Sequence, residues 1–299
     1  MRQATIREPF TLCGKGLHTG LMIRATVRPG DEDTGIRFSR TDLEGKPTYP
    51  ALARYVGGTS RGTVLEQGAW KVSTVEHLMA ALYAMGVSNS VVEVDGPEVP
   101  ILDGSARKWV DAVKQAGVVE QTRERDELVI SERVCFDNGK GSRMVIEPCE
   151  KYEVQVHVDY PSPVLNKQDA ELRDLADFDR EIASARTFCF LREIRPLLHL
   201  GLIKGGDLQN ALVIYDKRMW QWTMNRLARK LGQEPIDASQ LGYLSELNYV
   251  NEPARHKLLD VVGDMALLGR PIRGRIYVER PGHAFNTWCC KQLLTRVEA

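Results

Sequence analysis

The stretch Ser73–Gly86, STVEHLMAALYAMG, followed by Ser90–Val94, SVVEV, sets the pattern from which the fold is read. The first segment carries a full set of helix end signals: Ser73 as a cap, Glu76 three residues on, and Gly86 as the stop. The second reads as a strand, with Pro97 and Pro100 after it. The same order returns near the end of the chain. A helix opens at Asn251 as N-cap, has Pro253 in its first turn and ends at Gly269; the strand Gly274–Val278 and the turn Pro281-Gly282-His283 follow. Helix, glycine, strand and Pro/Gly turn, met twice, predict a duplicated α+β unit in which each sheet packs helices on one face.

Outward from these anchors, Met22–Val27, Gly35–Phe38 and Trp70–Val72 read as strands. Asp103-Gly104-Ser105 reads as the turn and N-cap of a helix over Ala106–Ala116, with Trp109, Val110 and Val113 at helical spacing. Gln121–Glu127 is charged and poor in apolar residues, so the boundary is expected there, between domains of residues 1–122 and 128–299. Strands resume at Leu128–Ile130, Arg133–Phe136, Met144–Ile146 and the alternating Tyr152–Val158. Ser162–Asp179 reads as a polar loop, Leu191–Leu200 as helical and Ala211–Ile214 as a strand.

The chain has 299 residues, with Lys+Arg and Asp+Glu both at 40 and a formal net charge of zero. That balance argues against bulk attraction to nucleic acid or anionic membrane, and leaves room for a local basic patch. No run approaches the roughly 18 apolar residues of a membrane helix. Met1–Phe10 lacks an apolar core, so no signal peptide is expected. Six scattered cysteines without a Cys-x-x-Cys pair predict reduced thiols in a cytoplasmic protein.

His256, Asp260 and Asp264 recur every fourth residue and form one helical stripe. A His and a carboxylate so placed can reach one metal ion, or make an ordinary polar face with a His–Asp hydrogen bond. Glu76-His77 also has two readings: a metal ligand with a carboxylate beside it, or a capping box in which Glu76 bonds the Ser73 N–H. His283, on its turn, is either a surface residue or a general acid that Asp264 could orient. His157 and His199 read as structural, and His18 sits in the glycine-rich turn Gly14–Gly20, which lacks phosphate-loop order.

Six motifs, in order, resemble the UDP-3-O-acyl-N-acetylglucosamine deacetylases. They are Gly16–Gly20 (GLHTG), Thr74–Leu78 (TVEHL), Pro100–Ser105 (PILDGS), Ala185–Phe188 (ARTF), His256–Asp260 (HKLLD) and Gly282–Ala284 (GHA). The resemblance implies two similar α+β domains in a β-α-α-β sandwich, each with a small insert, and a zinc-dependent removal of the N-acetyl group from an acylated UDP-sugar in lipid A biosynthesis. It makes His77, His256 and Asp260 the zinc ligands, with iron(II) an alternative for the same donors, and leaves a position for water, whose pKa zinc lowers to about 7. It makes Glu76 the general base, His283 with Asp264 the cationic stabiliser and proton donor, and Thr187 a hydroxyl on the oxyanion. Lys257, Phe188, Phe190, Leu198 and Ile203 become substrate contacts, the last ones in an acyl passage over residues 188–206. Cys189 departs from the glycine expected there, with acyl-chain selectivity at stake. The partner implied is a UDP-sugar lipid bound by a monomer, with no nucleic acid and no integral membrane segment. A kinase-like nucleotide binder would need a Gly/Ser-rich phosphate loop, and none is present. An RNA-binding module would be more basic.

Overall fold

The computed structural model describes residues 1–194, 204–230, 234 and 236–298. Two sheets frame an α+β fold. The first has five strands in the order Phe10–Lys15, Met22–Pro29, Ser90–Val94, Ile36–Arg40, Thr48–Pro50. Its successive pairings are antiparallel, antiparallel, parallel and antiparallel. The second sheet runs Val134–Asp137, Arg143–Glu147, Ile272–Glu279, Tyr152–Asp159, Lys167–Leu172, with the short Leu128–Val129 beside Ile272–Glu279. Its main pairings repeat the same series. In both, the central strand comes last in the chain, directly after a helix: Glu76–Ala84 in the first unit and Glu252–Met265 in the second. The duplication legible in the sequence is therefore a duplication of topology.

One face of each sheet is covered. Tyr152–Asp159 alternates buried and half-buried at every residue, and Ser90–Val94 does the same, the signature of a sheet with one side on the core. Val27, Phe38 and Val92 of the first sheet, Val156 and Ile276 of the second, and Leu78, Leu82, Leu258 and Val262 of the two helices belong to one buried cluster. The Glu76–Ala84 and Glu252–Met265 helices pack on each other. Their contact depends on Gly263, where a Cβ would lie 2.1 Å from the Glu76 carbonyl oxygen.

Each unit carries a three-stranded insert before its helix: Val56–Gly58, Val64–Gln67 and Trp70–Ser73 in the first; Phe188–Phe190, Leu212–Tyr215 and Gly242–Tyr243 in the second. The second also holds the helix Gln221–Lys230, so it runs well beyond the expected 188–206. Of the expected helix over Leu191–Leu200, residues 191–194 are helical; Leu198, Ile203 and His199 lie outside the described residues.

Several local readings change. Ser73 ends a strand instead of capping a helix; its hydroxyl donates to the Pro97 carbonyl, and Thr74 takes a left-handed backbone at φ 59° before the helix begins at Glu76. Gly86, at φ 74°, and Gly269, at φ 77°, do end their helices, because only glycine enters that region without steric cost. Asn251 makes no side-chain cap: its amide donates to the Asp169 carbonyl and its oxygen accepts from Arg255. Within Ser162–Asp179, Lys167–Leu172 is an edge strand. The charged stretch from Gln121 to Glu124 belongs to the strand Val118–Glu124, paired with Arg2–Ile6. Charged edge strands read as loops because one side of their ladder is open to solvent. His283 is the first residue of a helix, His283–Glu298, and not part of a turn.

Candidate metal and catalytic site

The contact at Gly263 brings the start of one helix against the last turn of the other, and three side chains converge beside it. His77 Nε2 stands 3.8 Å and His256 Nε2 3.4 Å from Asp260 Oδ1. One ligand atom from each of the three lies within 4.8 Å of the others, and all three residues are buried. The ordinary polar-face reading of the His256/Asp260/Asp264 stripe therefore fails: those residues expose 2%, 1% and 0% of their surface. His256 Nδ1 bonds the Ala185 carbonyl at 3.0 Å, which directs Nε2 toward Asp260. Burial, and then the neighbouring His256, push His77 down to about 3; burial also lowers His256. Both imidazoles are neutral at pH 7, the form that ligates metal.

Asp260 supplies the test of fit. Oδ2 accepts a hydrogen bond from Lys257 Nζ at 2.7 Å, while Oδ1 is buried with no hydrogen-bond partner. Burial opposes its ionisation, but Lys257 and the surrounding imidazoles hold the carboxyl below its usual range. A buried anionic oxygen without a donor is costly. A divalent cation would satisfy it, since tetrahedral zinc with bonds of about 2.1 Å sets its ligand atoms about 3.4 Å apart. The donors present, two imidazoles and a carboxylate, fit such an ion.

A second network adjoins the first. Glu76 Oε2 accepts from the Thr63 N–H at 3.0 Å, and Oε1 is 3.8 Å from His283 Nε2. The capping-box alternative is thus excluded, since Ser73 N donates instead to the Pro97 carbonyl. Burial raises the Glu76 carboxyl to about 7 even though His283 draws it down. His283 Nδ1 bonds Asp264 Oδ2 at 3.0 Å, and Nε2 is 3.7 Å from Asp260 Oδ2. Burial alone would lower this imidazole; Asp264, Asp260 and Glu76 more than offset it and raise it to about 9. Two residues that sequence reasoning missed complete the arrangement. Thr63 Oγ1 donates to Asp264 Oδ1 at 2.5 Å, and Asn286 Nδ2 donates to Asp264 Oδ2 at 2.9 Å. Asn286 lies one helical turn beyond His283, a spacing that reading Pro281–His283 as a turn conceals. Thr63, in the first insert, had no sequence signal.

Glu76, His77, His256, Asp260 and His283 line a cavity of about 290 Å³ together with Thr187, Phe188, Phe190 and Lys257. Phe188 sets its ring edge-on to His256 and Tyr160, with Lys257 Nζ 5.5 Å from its centre. Thr187 is held by its backbone, whose N–H donates to Gly104 and whose carbonyl accepts from Leu212. The Gly14–Gly20 turn reaches the same cavity through Leu17 and His18. It is pinned by Glu98, whose buried carboxylate accepts from the His18 and Thr19 N–H groups and the Thr19 and Thr74 hydroxyls. Arg61 of the first insert and Glu193 of the second pair at 2.8 Å on the cavity wall.

The sequence matches the UDP-3-O-acyl N-acetylglycosamine deacetylase family over residues 3–231 and 235–295. The chain belongs to that family. Among similar proteins, the bifunctional enzyme LpxC/FabZ of Bacteroides thetaiotaomicron is 48% identical over 98% of this chain and 64% of its own length. The bifunctional enzyme of the same name from Porphyromonas gingivalis is 50% identical, over 95% of this chain and 62% of its own length. The UDP-3-O-acyl-N-acetylglucosamine deacetylase of Myxococcus xanthus is 39% identical over 95% of this chain and 83% of its own length. The chain thus spans a little under two thirds of the two bifunctional relatives. Among the described residues, no helix is long and apolar enough to cross a membrane.

Proposed function

We propose that this chain hydrolyses the N-acetyl group of a UDP-3-O-acyl-N-acetylglucosamine, releasing acetate and the free amine, as a zinc enzyme of lipid A biosynthesis. The observation that carries this is the unpartnered Asp260 Oδ1 between two neutral imidazoles, with Glu76 and His283 on the same cavity. His77, His256 and Asp260 would hold the ion. Bound there, zinc supplies Lewis-acid polarisation of the acetamide carbonyl and a lowered pKa for water.

The protein's own groups divide the proton chemistry. Glu76, poised at about 7 by burial, takes the proton from the attacking water. His283, held cationic by the carboxylates facing it, stabilises the developing oxyanion and gives a proton to the departing amine. Asp264, fixed by Thr63 and Asn286, keeps Nδ1 bonded so that Nε2 faces the reacting centre. The Thr187 hydroxyl is a further donor to the oxyanion. Lys257 steadies Asp260 and, with Phe188 and Phe190, meets the sugar head of the substrate; Leu198 and Ile203, which lie outside the described residues, are assigned to the acyl chain by the family resemblance alone. Every group named comes from one chain, so a monomer suffices. Six unpaired cysteines suit a reducing compartment such as the cytoplasm.

Acetate release from a UDP-3-O-(3-hydroxyacyl)-N-acetylglucosamine, before and after chelation and again after zinc is returned, tests the reading. Activity should vanish with the chelator and return with the metal. A folded, zinc-loaded protein inert across several acyl lengths would instead mark a non-catalytic zinc protein.

A further inference from the structure

The helix Gln221–Lys230 of the second insert is two-faced. Met224 and Leu227 are buried and pack with Ile194, Val213 and Tyr215 in a small core of the insert, and Ala228 on the same side of the helix is buried too. On the opposite side Trp222, Arg226 and Arg229 follow each other at spacings of four and three residues, and all three are exposed, so they form one stripe. Trp220, immediately before the helix, exposes 77% of its surface and Trp222 64%, whereas Trp70 and Trp109 expose 2% and 0%. Between residues 216 and 230 stand five cations, Lys217, Arg218, Arg226, Arg229 and Lys230, against the single anion Asp216. Asp216 is already paired with Arg192. Lys217, Arg218, Arg226 and Arg229 have no carboxylate partner among the described residues. In a chain of zero net charge, this is a strong local asymmetry.

Exposed tryptophans gain nothing from water and add nothing to the insert's own core. Their amphipathic rings favour the boundary between lipid headgroups and acyl chains. Cations on the same stripe are drawn to anionic headgroups by about 1 kcal/mol each. We infer that Trp220, Trp222 and the basic residues around them form a docking face for an anionic phospholipid bilayer, against which the helix lies in the plane of the interface. The helix keeps its apolar side in the insert's core and offers the bilayer two aromatic anchors and a charged rim. Ile194 and Val213 belong both to the core beneath this helix and to the wall of the catalytic cavity. The docking face is therefore one layer of side chains away from the cavity. The inference concerns where the protein sits and stands independently of the hydrolytic reading.

Vesicle flotation of the purified chain tests it. Vesicles of phosphatidylglycerol and phosphatidylcholine should carry the protein, pure phosphatidylcholine should carry little, and tryptophan emission should shift to the blue on binding. Trp220→Ala/Trp222→Ala should abolish flotation and most of the blue shift while leaving the thermal midpoint unchanged. Arg226→Gln/Arg229→Gln should weaken partitioning roughly thirtyfold, with the remaining binding lost in high salt. Equal flotation of wild type and the tryptophan variant would overturn the proposal, as would equal binding to neutral and anionic vesicles. Retention by a single-stranded oligonucleotide, sensitive to the same variants and without vesicle binding, would reassign the face to nucleic acid and overturn it as well.

Discussion

Asp260 carries a lysine on one oxygen and nothing on the other, and this asymmetry makes the residue the most informative in the site. Asp260→Asn is expected to lower zinc content sharply, because it removes the anionic donor and leaves Lys257 buried beside a neutral amide; zinc stoichiometry by mass spectrometry measures it, and full occupancy would take Asp260 out of the ligand set. Glu76 contributes differently. Its carboxylate touches the Thr63 N–H and faces His283, so Glu76→Gln should keep the metal and lower kcat by about 10²–10⁴. If the metal is lost with that variant, Glu76 is a ligand and not a base. Thr63 acts at one remove, through Asp264. Thr63→Val leaves a buried carboxylate oxygen short of a donor, which costs about 1–3 kcal/mol in folding stability. It should also depress kcat while metal content stays full, and Thr63→Ser should rescue both. A stability loss without any change in the pH–rate profile would reduce Thr63 to a structural role.

At the scale of elements, the site exists because two helices from different units come unusually close. Gly263 faces the Glu76 carbonyl with no room for a methyl group. Gly263→Ala should push the helices apart by some tenths of an ångström at a cost of about 1–3 kcal/mol. The distinguishing expectation is a loss of metal affinity as well, since His77 sits on one helix and His256 and Asp260 on the other. Equilibrium zinc titration against a competing chelator separates a merely destabilised protein, with its affinity intact, from a splayed site. The inserts play a comparable part: Thr63 of the first bonds Glu76 and Asp264 behind the cavity, and Thr187, which immediately precedes the second's opening strand, lines it.

For the whole molecule, the two units share one buried cluster, so they should unfold together. Far-UV circular dichroism and tryptophan emission, to which the buried Trp70 and Trp109 of the first unit contribute, are expected to report one coincident transition. Chelation should shift it downward as a single step, because a ligand that binds only the folded state adds about 2.7 kcal/mol at a hundred times its dissociation constant. Two transitions, with only one sensitive to chelator, would mean that the metal belongs to one unit and does not bridge them.

The elements readable in advance were those governed by local forces. The Ser90–Val94 strand, the glycine stops at Gly86 and Gly269, the helix over Trp109 and Val113 and the repeated order of elements follow from side-chain period and from backbone sterics at glycine. What failed was decided by distant partners. Ser73 resembles a cap, but the Pro97 carbonyl takes its hydroxyl. Lys167–Leu172 and Gln121–Glu124 are polar and still pair as strands, because each takes its ladder hydrogen bonds from a partner strand whatever its side chains face. The separate pieces Glu76-His77, His256/Asp260/Asp264 and His283 were each legible as candidates, and resemblance to a family suggested that they meet. That His77 faces Asp260 across Gly263, and that Thr63 and Asn286 complete the Asp264 network, depends on contacts across as many as 201 residues of chain. A sequence lays down which side chains can ligate or titrate. Only the packing of one helix on another sets the distances and the burial that turn such groups into a site.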